Sequence, residues 1–368
     1  MDASIATDLR APVKVASSAV SAVRCRECHE AIDDEWRTSA HSHAASAPLY
    51  VAAKKSAGKE GATCDHCHSP FASSAEPDDP VLTEGVTCDV CHTINAVEDK
   101  KSGGAFTLKT EDNIKYGTLC DAVPHYFHKM GCSPLHTEGK FCAGCHYYYR
   151  GEVPVFTEYE EWKNGPYSNQ DCQSCHMPGT ARLAASGGAV RPGIGMHDDF
   201  GANRELRRRA LTGTVEITSD KSGVAHVVVD LVNERAGHFV PSGMPGRQLV
   251  LNVMTPAMSR HGEEVRFFDR VLVDAKGAPA PFWSAVSVAK DTRIAPKAKR
   301  TSTVELDAPV GSVIRVSVFW RSLALALDEF FGVVSHGNGF DEMLLEGEGV
   351  VPLPGQAPRR FTLRMARP

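Results

Sequence analysis

The sequence predicts a chain of two unlike parts. The first is a half of short helices and loops organised by repeated cysteine–histidine motifs, and the second is an all-β, immunoglobulin-like sandwich. Three observations predict this. Cys-x-x-Cys-His occurs five times before residue 177. All twelve cysteines fall between Cys25 and Cys175, and none follows. Beyond residue 210, seven short alternating segments rich in β-branched residues take their place.

The five motifs are Cys25-Arg26-Glu27-Cys28-His29, Cys64-Asp65-His66-Cys67-His68, Cys88-Asp89-Val90-Cys91-His92, Cys142-Ala143-Gly144-Cys145-His146 and Cys172-Gln173-Ser174-Cys175-His176. This spacing is the attachment pattern of c-type haem. Each thiol forms a thioether with one vinyl group, and the following histidine reaches the iron from the proximal side. A zinc site would pair two Cys-x-x-Cys halves, but five halves do not pair, and neither zinc nor a disulfide requires histidine after every second cysteine. The cofactor expected is therefore five haem c. The thioether residues would be Cys25, Cys28, Cys64, Cys67, Cys88, Cys91, Cys142, Cys145, Cys172 and Cys175. His29, His68, His92, His146 and His176 would be the proximal iron ligands.

The first half has few long periodic segments. Short helices are expected at residues 30–43 and 156–163, with Gly, Ser, Pro and Asp clusters between them reading as loops. A multihaem cytochrome c domain explains this. Porphyrin is a large apolar plate, so it supplies the burial that Leu and Val supply elsewhere, and the chain has only to wrap it. The boundary is placed near Asn203-Arg204-Glu205-Leu206-Arg207-Arg208-Arg209, giving a pentahaem domain over residues 24–205 and a β-sandwich over 206–368. Expected strands are 214–218, 225–232, 248–254, 265–274, 285–290, 302–307 and 313–320, with a short helix at 322–331 and a closing strand at 361–365.

Composition is ordinary for a soluble protein, with 42% hydrophobic and 23% charged residues and a formal net charge of −5. Two propionates on each haem would make the loaded protein more acidic, and Arg204 and Arg207–Arg209 are candidates to pair with them. No basic block indicates nucleic acid, and no run of about 18 apolar residues suggests a membrane span. Residues 1–23 are polar and Ala/Ser-rich without the apolar centre of a signal peptide. Haem is attached to such motifs on the exported side of a membrane. The numbering is therefore expected to begin after a removed leader or at an introduced methionine, and the location to be periplasmic or at the cell surface.

Function turns on the sixth ligand of each iron. Two histidines make a closed haem suited to moving electrons, whereas an open face binds substrate. Seven further histidines lie in the first half: His41, His43, His66, His125, His128, His136 and His197. Only His226, His238, His261 and His336 follow. His41, His128, His136 and His197 are the favoured distal ligands, with His43 next. His66 sits inside its own attachment loop and cannot easily turn back on that iron. Met130, Met177 and Met196 read better as loop or core residues than as thioether ligands. Cys120 and Cys132 bracket His125 and His128, and in an oxidising compartment they are expected to close a disulfide around that segment.

Several of these residues form recognisable blocks. They are Trp36-Arg37-Thr38-Ser39-Ala40-His41, Glu84-Gly85-Val86-Thr87 before the third motif, Ser133-Pro134-Leu135-His136 with Phe141-Cys142, Glu161-Trp162, Met177-Pro178 after the fifth motif, and Met196-His197-Asp198-Asp199-Phe200-Gly201-Ala202-Asn203. Over about residues 24–205 the chain resembles the multihaem cytochrome superfamily that includes hydroxylamine oxidoreductase and its tetrahaem cytochrome electron acceptor. The resemblance implies distal-ligand roles for His41, His136 and His197, and closely packed haem pairs, some parallel and some roughly perpendicular. Asn233-Glu234-Arg235-Ala236-Gly237-His238-Phe239-Val240-Pro241-Ser242-Gly243 is similar to a block that follows haem domains in related cytochromes, which makes His238 a further candidate iron ligand.

The departures also inform. In pentahaem nitrite reductases the catalytic motif ends in lysine, but all five motifs here end in histidine. Hydroxylamine oxidoreductase bonds a tyrosine to its catalytic haem, and the run Tyr147-Tyr148-Tyr149 has no matching placement. The leading expectation is an electron-transfer protein with redox protein partners and no catalytic residues. The alternatives are an oxidoreductase with one open haem acting on a small nitrogen or sulfur compound, and a homo-oligomeric subunit of a cytochrome conduit or filament.

Overall fold

The computed structural model describes residues 19–123, 126–198, 204–255, 263–332 and 341–366. The chain divides into two compact units. One comprises Met1–Lys163, Tyr167–Asn203 and Phe330–Val333, and the other Asn164–Pro166, Arg204–Glu329 and Val334–Pro368.

The first unit is built from short helices and two-stranded ladders. Helix α1 (Ala22–Thr38) starts at Ser21, whose hydroxyl accepts from the Val23 amide at 3.2 Å. It is broken at His29, where φ is −110° and ψ is 39°. Helices α2 (Pro48–Ser56), α3 (Asp65–His68), α4 (Cys88–Thr93), α5 (Lys140–His146), α6 (Glu158–Lys163) and α7 (Cys172–His176) follow. The two helices expected at 30–43 and 156–163 thus correspond to the end of a longer α1 and to α6. Strands β1 (Ile94–Val97) and β2 (Phe106–Leu108) pair antiparallel. Strands β3 (Ile114–Gly117) and β4 (Lys129–Cys132) pair parallel. Strands β5 (Tyr148–Arg150) and β6 (Val153–Phe156) pair antiparallel, as do β7 (Gly179–Leu183) and β8 (Val190–Gly195).

The apolar core of this unit is small. Its buried cluster is Phe71, Val81, Val90, Ile94, Val97, Phe106, Leu108, Ala143, Tyr147 and Tyr159. The cluster gathers around α4 and α5 and leaves α1, α3 and α7 with little apolar support, as a chain that wraps prosthetic groups requires.

The second unit opens with α8 (Arg204–Ala210) and is otherwise β-rich. Its strands are β9 (Leu211–Ser219), β10 (Val224–Asn233), β11 (Gln248–Met254), β12 (Glu263–Val273), β13 (Ser287–Asp291), β14 (Lys299–Asp307), β15 (Val313–Arg321), β16 (Asp341–Val350), β17 (Arg359–Thr362) and β18 (Arg364–Met365). They form a four-stranded sheet in the order β14-β10-β9-β17 and a six-stranded sheet in the order β13-β12-β11-β15-β16-β18. Alternation places the core. On β10, Ala225, Val227, Val229 and Leu231 are at most 1% exposed, and the residues between them face outward. Leu249, Leu251, Ile314, Val316 and Val318 meet them from the other sheet in one cluster.

Each of the seven expected strands has a counterpart. The expected helix at 322–331 is a 3₁₀ turn (Leu325–Leu327) followed by a single α-turn, α9 (Asp328–Phe331). Strand β16 was not expected. Its acidic, glycine-containing sequence lacks alternation, because Leu344 and Leu345 are both buried and a bulge opposite Val318 and Phe319 shifts the register. Gly347 and Gly349 are needed there, since a Cβ would lie 2.8 Å and 2.7 Å from the Phe361 ring. Of the arginines of α8, Arg204, Arg207 and Arg208 converge on the largely buried Glu342 carboxylate, and Arg209 pairs with Glu205 at 2.8 Å. Arg204 and Arg207 lie at 2.7 and 2.6 Å from Glu342.

Candidate haem-attachment sites

Each motif occupies one turn of a short helix, in α1, α3, α4, α5 and α7. In the preceding 3₁₀ turn (Gly58–Cys64) and α3, the second motif straddles a change of helix type. One helical turn places residues i, i+3 and i+4 on one face, so both thiols and the imidazole address the same plate.

The motifs touch one another out of sequence order. Thiols of different motifs lie close enough to act on one another's ionisation, Cys88 with Cys25, Cys145 with Cys67, and Cys142 with Cys172. The first motif therefore borders the third, the second borders the fourth, and the fourth borders the fifth. Burial pushes the Cys91 thiol up to about 12, and the Cys91 charge also acts on Cys142 and Cys145, which brings the third and fourth motifs together. All five attachment points are connected by these contacts.

A metal held between two imidazoles, about 2 Å from each nitrogen, sets the ring centroids roughly 6 Å apart. Three motif histidines meet another imidazole at that spacing. His29 faces His128 at 6.3 Å, His146 faces His41 at 6.3 Å, and His92 lies 6.0 Å from His136 and 6.5 Å from His197. His68 is different. Its ring stacks on Tyr50 at 4.3 Å, and the Tyr50 hydroxyl donates to Asp65 at 2.6 Å.

Backbone carbonyls orient these rings. Nδ1–H donates from His29 to Ala184 at 2.6 Å, from His68 to Ala44 at 3.0 Å and from His92 to Tyr116 at 2.7 Å. His128 donates likewise to Lys129 at 3.2 Å and His197 to Gly195 at 2.9 Å. A carbonyl only accepts, so Nδ1 carries the proton and Nε2 is the ligating nitrogen of such a ring. His136 is reversed. Its Nε2 donates to the Cys91 carbonyl at 3.1 Å, and its Nδ1 is buried without a hydrogen-bond partner. Gln173 of the fifth motif donates to the His136 carbonyl at 3.1 Å, so His136 lies between the third and fifth motifs.

Burial keeps His41, His68, His92, His136 and His197 neutral. It pushes His41 down to about 3, with the nearby His146, His68 and His176 adding to the effect. Burial and His92 push His136 and His197 each to about 4. A neutral ring keeps the lone pair that a metal needs. Ring spacing, carbonyl-fixed tautomers and the orphaned His136 nitrogen together fit iron ligation in a row of c-type haem sites.

His43 does not join a ring pair among the described residues. It is exposed in the turn after α1, and its carbonyl caps Ser46 and Ala47. His125 and the 199–203 part of the segment after His197 lie outside the described residues. His238 sits on a loop held by the fully buried Asn233, whose amide donates to the His238 carbonyl at 2.9 Å and the Ile294 carbonyl at 3.0 Å. Cys120 and Cys132, the last residue of β4, form a disulfide that encloses the segment carrying His128. One long-range ion pair beside these sites escaped sequence reasoning. Glu35 and Arg182 are 147 positions apart and form an ion pair. No local pattern signals such a pair.

A family model described as cytochrome c554 and c-prime matches residues 24–93, which include the first three motifs. Among solved structures, a penta-heme cytochrome c552 from Thermochromatium tepidum superposes with a TM-score of 0.70 at 23% identity, covering 90% of this chain and 99% of that one. No curated protein matches the chain significantly. The structural likeness establishes a shared fold across both units, and the two findings support a multihaem c-type cytochrome with a largely β C-terminal region.

Proposed function

We propose that the chain transfers electrons through five covalently bound haem c groups, mostly with two histidine ligands each, in the periplasm or at the cell surface. When bound, haem iron supplies one-electron chemistry between its ferrous and ferric states. The observation that carries this reading is the contact between thiols of different motifs, which makes the attachment sites a continuous row with no isolated member. In this reading residues 24–205 are the haem domain, akin to the hydroxylamine oxidoreductase superfamily, and residues 206–368 form an immunoglobulin-like sandwich. The two sheets that share one core support the latter.

The protein's own task is to hold each iron's ligands and exclude others. His29 with His128, His146 with His41, and His92 with His197 are the proposed axial pairs. His197 is preferred over His136 at His92 because its Nδ1 is engaged by a carbonyl, as in His29, His68 and His92. His136, set beside the fifth motif, is the distal ligand proposed for its iron. His238 is proposed as a further iron ligand. Redox proteins are the expected partners.

Spectroelectrochemical titration of the holoprotein tests the reading. Five haem equivalents should reduce reversibly, with low-spin spectra at most or all of them. A protein in which most haems are high-spin would refute it.

One observation favours a second reading at a single site. Tyr50 stacks on His68, and a cavity of about 770 Å³ beside the second motif is lined by Tyr50, Lys54, Lys55 and Asp65. An open haem there would suit a small nitrogen or sulfur anion. Carbon monoxide binding to one haem of five in the unaltered protein would favour it.

A further inference from the structure

We propose that Glu35 and Arg182 are positioning residues that latch the β7–β8 hairpin to α1 and so hold His197 against the iron of the third motif. This rests on the ligand reading of His197 given above.

The hairpin is fixed at two ends by different means. At its tip, the Ala184 carbonyl accepts from His29 Nδ1 at 2.6 Å, and the Ser186 amide donates to the Cys28 carbonyl at 2.7 Å. At its base, Glu35 Oε2 accepts from the His197 amide at 2.9 Å and from Arg182 Nη2 at 3.0 Å. Arg182 Nη1 pairs with Glu35 Oε1. The same Arg182 Nη2 donates at 2.5 Å to the Gly195 carbonyl, which also accepts from His197 Nδ1. One carboxylate and one guanidinium therefore fix the backbone of His197, the carbonyl that sets its tautomer, and the helix that carries His29.

Among the described residues, apolar packing contributes little at the base, where the Met196 amide also donates to the Pro178 carbonyl at 3.1 Å. Most residues of β7 and β8 are exposed, and Ile194 is the buried apolar residue on the pair. Apolar packing cannot set the position of His197 to the few tenths of an ångström that ligation requires. The ion pair is about four-fifths shielded on both sides, so it keeps its directionality where a fully exposed pair would not. Removing Glu35 takes the carboxylate acceptor from both the Arg182 guanidinium and the His197 amide. The tip remains bonded to the first motif, so the base swings while the hairpin stays attached.

The test uses the five-haem holoprotein with Glu35→Ala, Arg182→Met and His197→Gly. Ferric EPR and carbon monoxide binding to the reduced form are measured with and without added imidazole. Relative to the unaltered protein, each variant should raise the high-spin content by one haem of five, and imidazole should restore the low-spin signal. That signature belongs to a vacated ligand position, and a general loss of structure does not reproduce it. If His197→Gly opens a haem but Glu35→Ala and Arg182→Met leave every haem as in the unaltered protein, the latch is wrong and the ligand reading stands. If His197→Gly changes nothing, the ligand reading itself fails and the latch with it.

Discussion

The His29 and His128 rings face one another with centroids 6.3 Å apart and planes 25° from parallel. One ring belongs to the first motif, and the other lies inside the segment closed by the Cys120–Cys132 disulfide, ninety-odd residues later. Each donates Nδ1–H to a backbone carbonyl, His29 to Ala184 and His128 to Lys129. His128→Gly should therefore convert one haem of five from low to high spin and let it bind carbon monoxide, with imidazole restoring the original spectrum. Absorption and EPR spectra of the holoprotein check this.

The segment carrying His128 is held by three devices. Strand β4 pairs with β3, the Asn113 side chain donates to the Phe127 carbonyl at 2.7 Å, and Cys120 is bonded to Cys132. A cross-link closing a loop of this length contributes about 2–3 kcal/mol by restricting the unfolded chain. Replacing both cysteines with serine should lower stability of the first unit by about that amount. Hydrogen exchange should report it as faster exchange at residues 126–132, with haem content unchanged.

Asp291 lies between two nearly buried guanidiniums in the second unit. Its carboxylate accepts from Arg270 Nε at 3.0 Å and from Arg293 Nε and Nη2, both at 2.9 Å. Burial pushes its pKa up, but the two arginines outweigh that and hold it below the usual carboxylate range. Asp291→Asn should cost about 2–3 kcal/mol at pH 7, because it leaves buried charge uncompensated. A depressed carboxylate gives its stability in full above its unfolded pKa of about 3.9 and loses it as pH falls through the lower folded value. Urea titrations at pH 7 and near pH 3 should show the gap between wild type and variant narrowing in acid.

Gly349 faces the Phe361 ring, where a Cβ would come within 2.7 Å. Gly349→Val should destabilise the β-rich unit by about 1–3 kcal/mol through overpacking. Thermal unfolding followed by far-UV circular dichroism measures it.

These sites differ in how far they could be read from the chain. Cys-x-x-Cys-His is legible because covalent attachment fixes three residue types within one helical turn. Strands such as β10 and β15 are legible because alternation survives where one face is buried. Strand β16 is not, because its glycines answer to Phe361, a contact made by chain folding and not by local pattern. Which motif borders which is also illegible. Cys25 meets Cys88, and Cys67 meets Cys145, through tertiary contacts that leave no trace in spacing. His41 and His43 show the same limit. They are two residues apart and alike in sequence context, yet His41 faces His146 while His43 is exposed at a turn. Glu35 and Arg182 carry no motif at all.

Intact-mass measurement of the natively produced protein tests the central claim most directly. Five thioether-bound haems predict the polypeptide mass plus five haem groups in a single species that survives denaturation. A species carrying fewer, or haem that dissociates when the chain unfolds, would contradict the account.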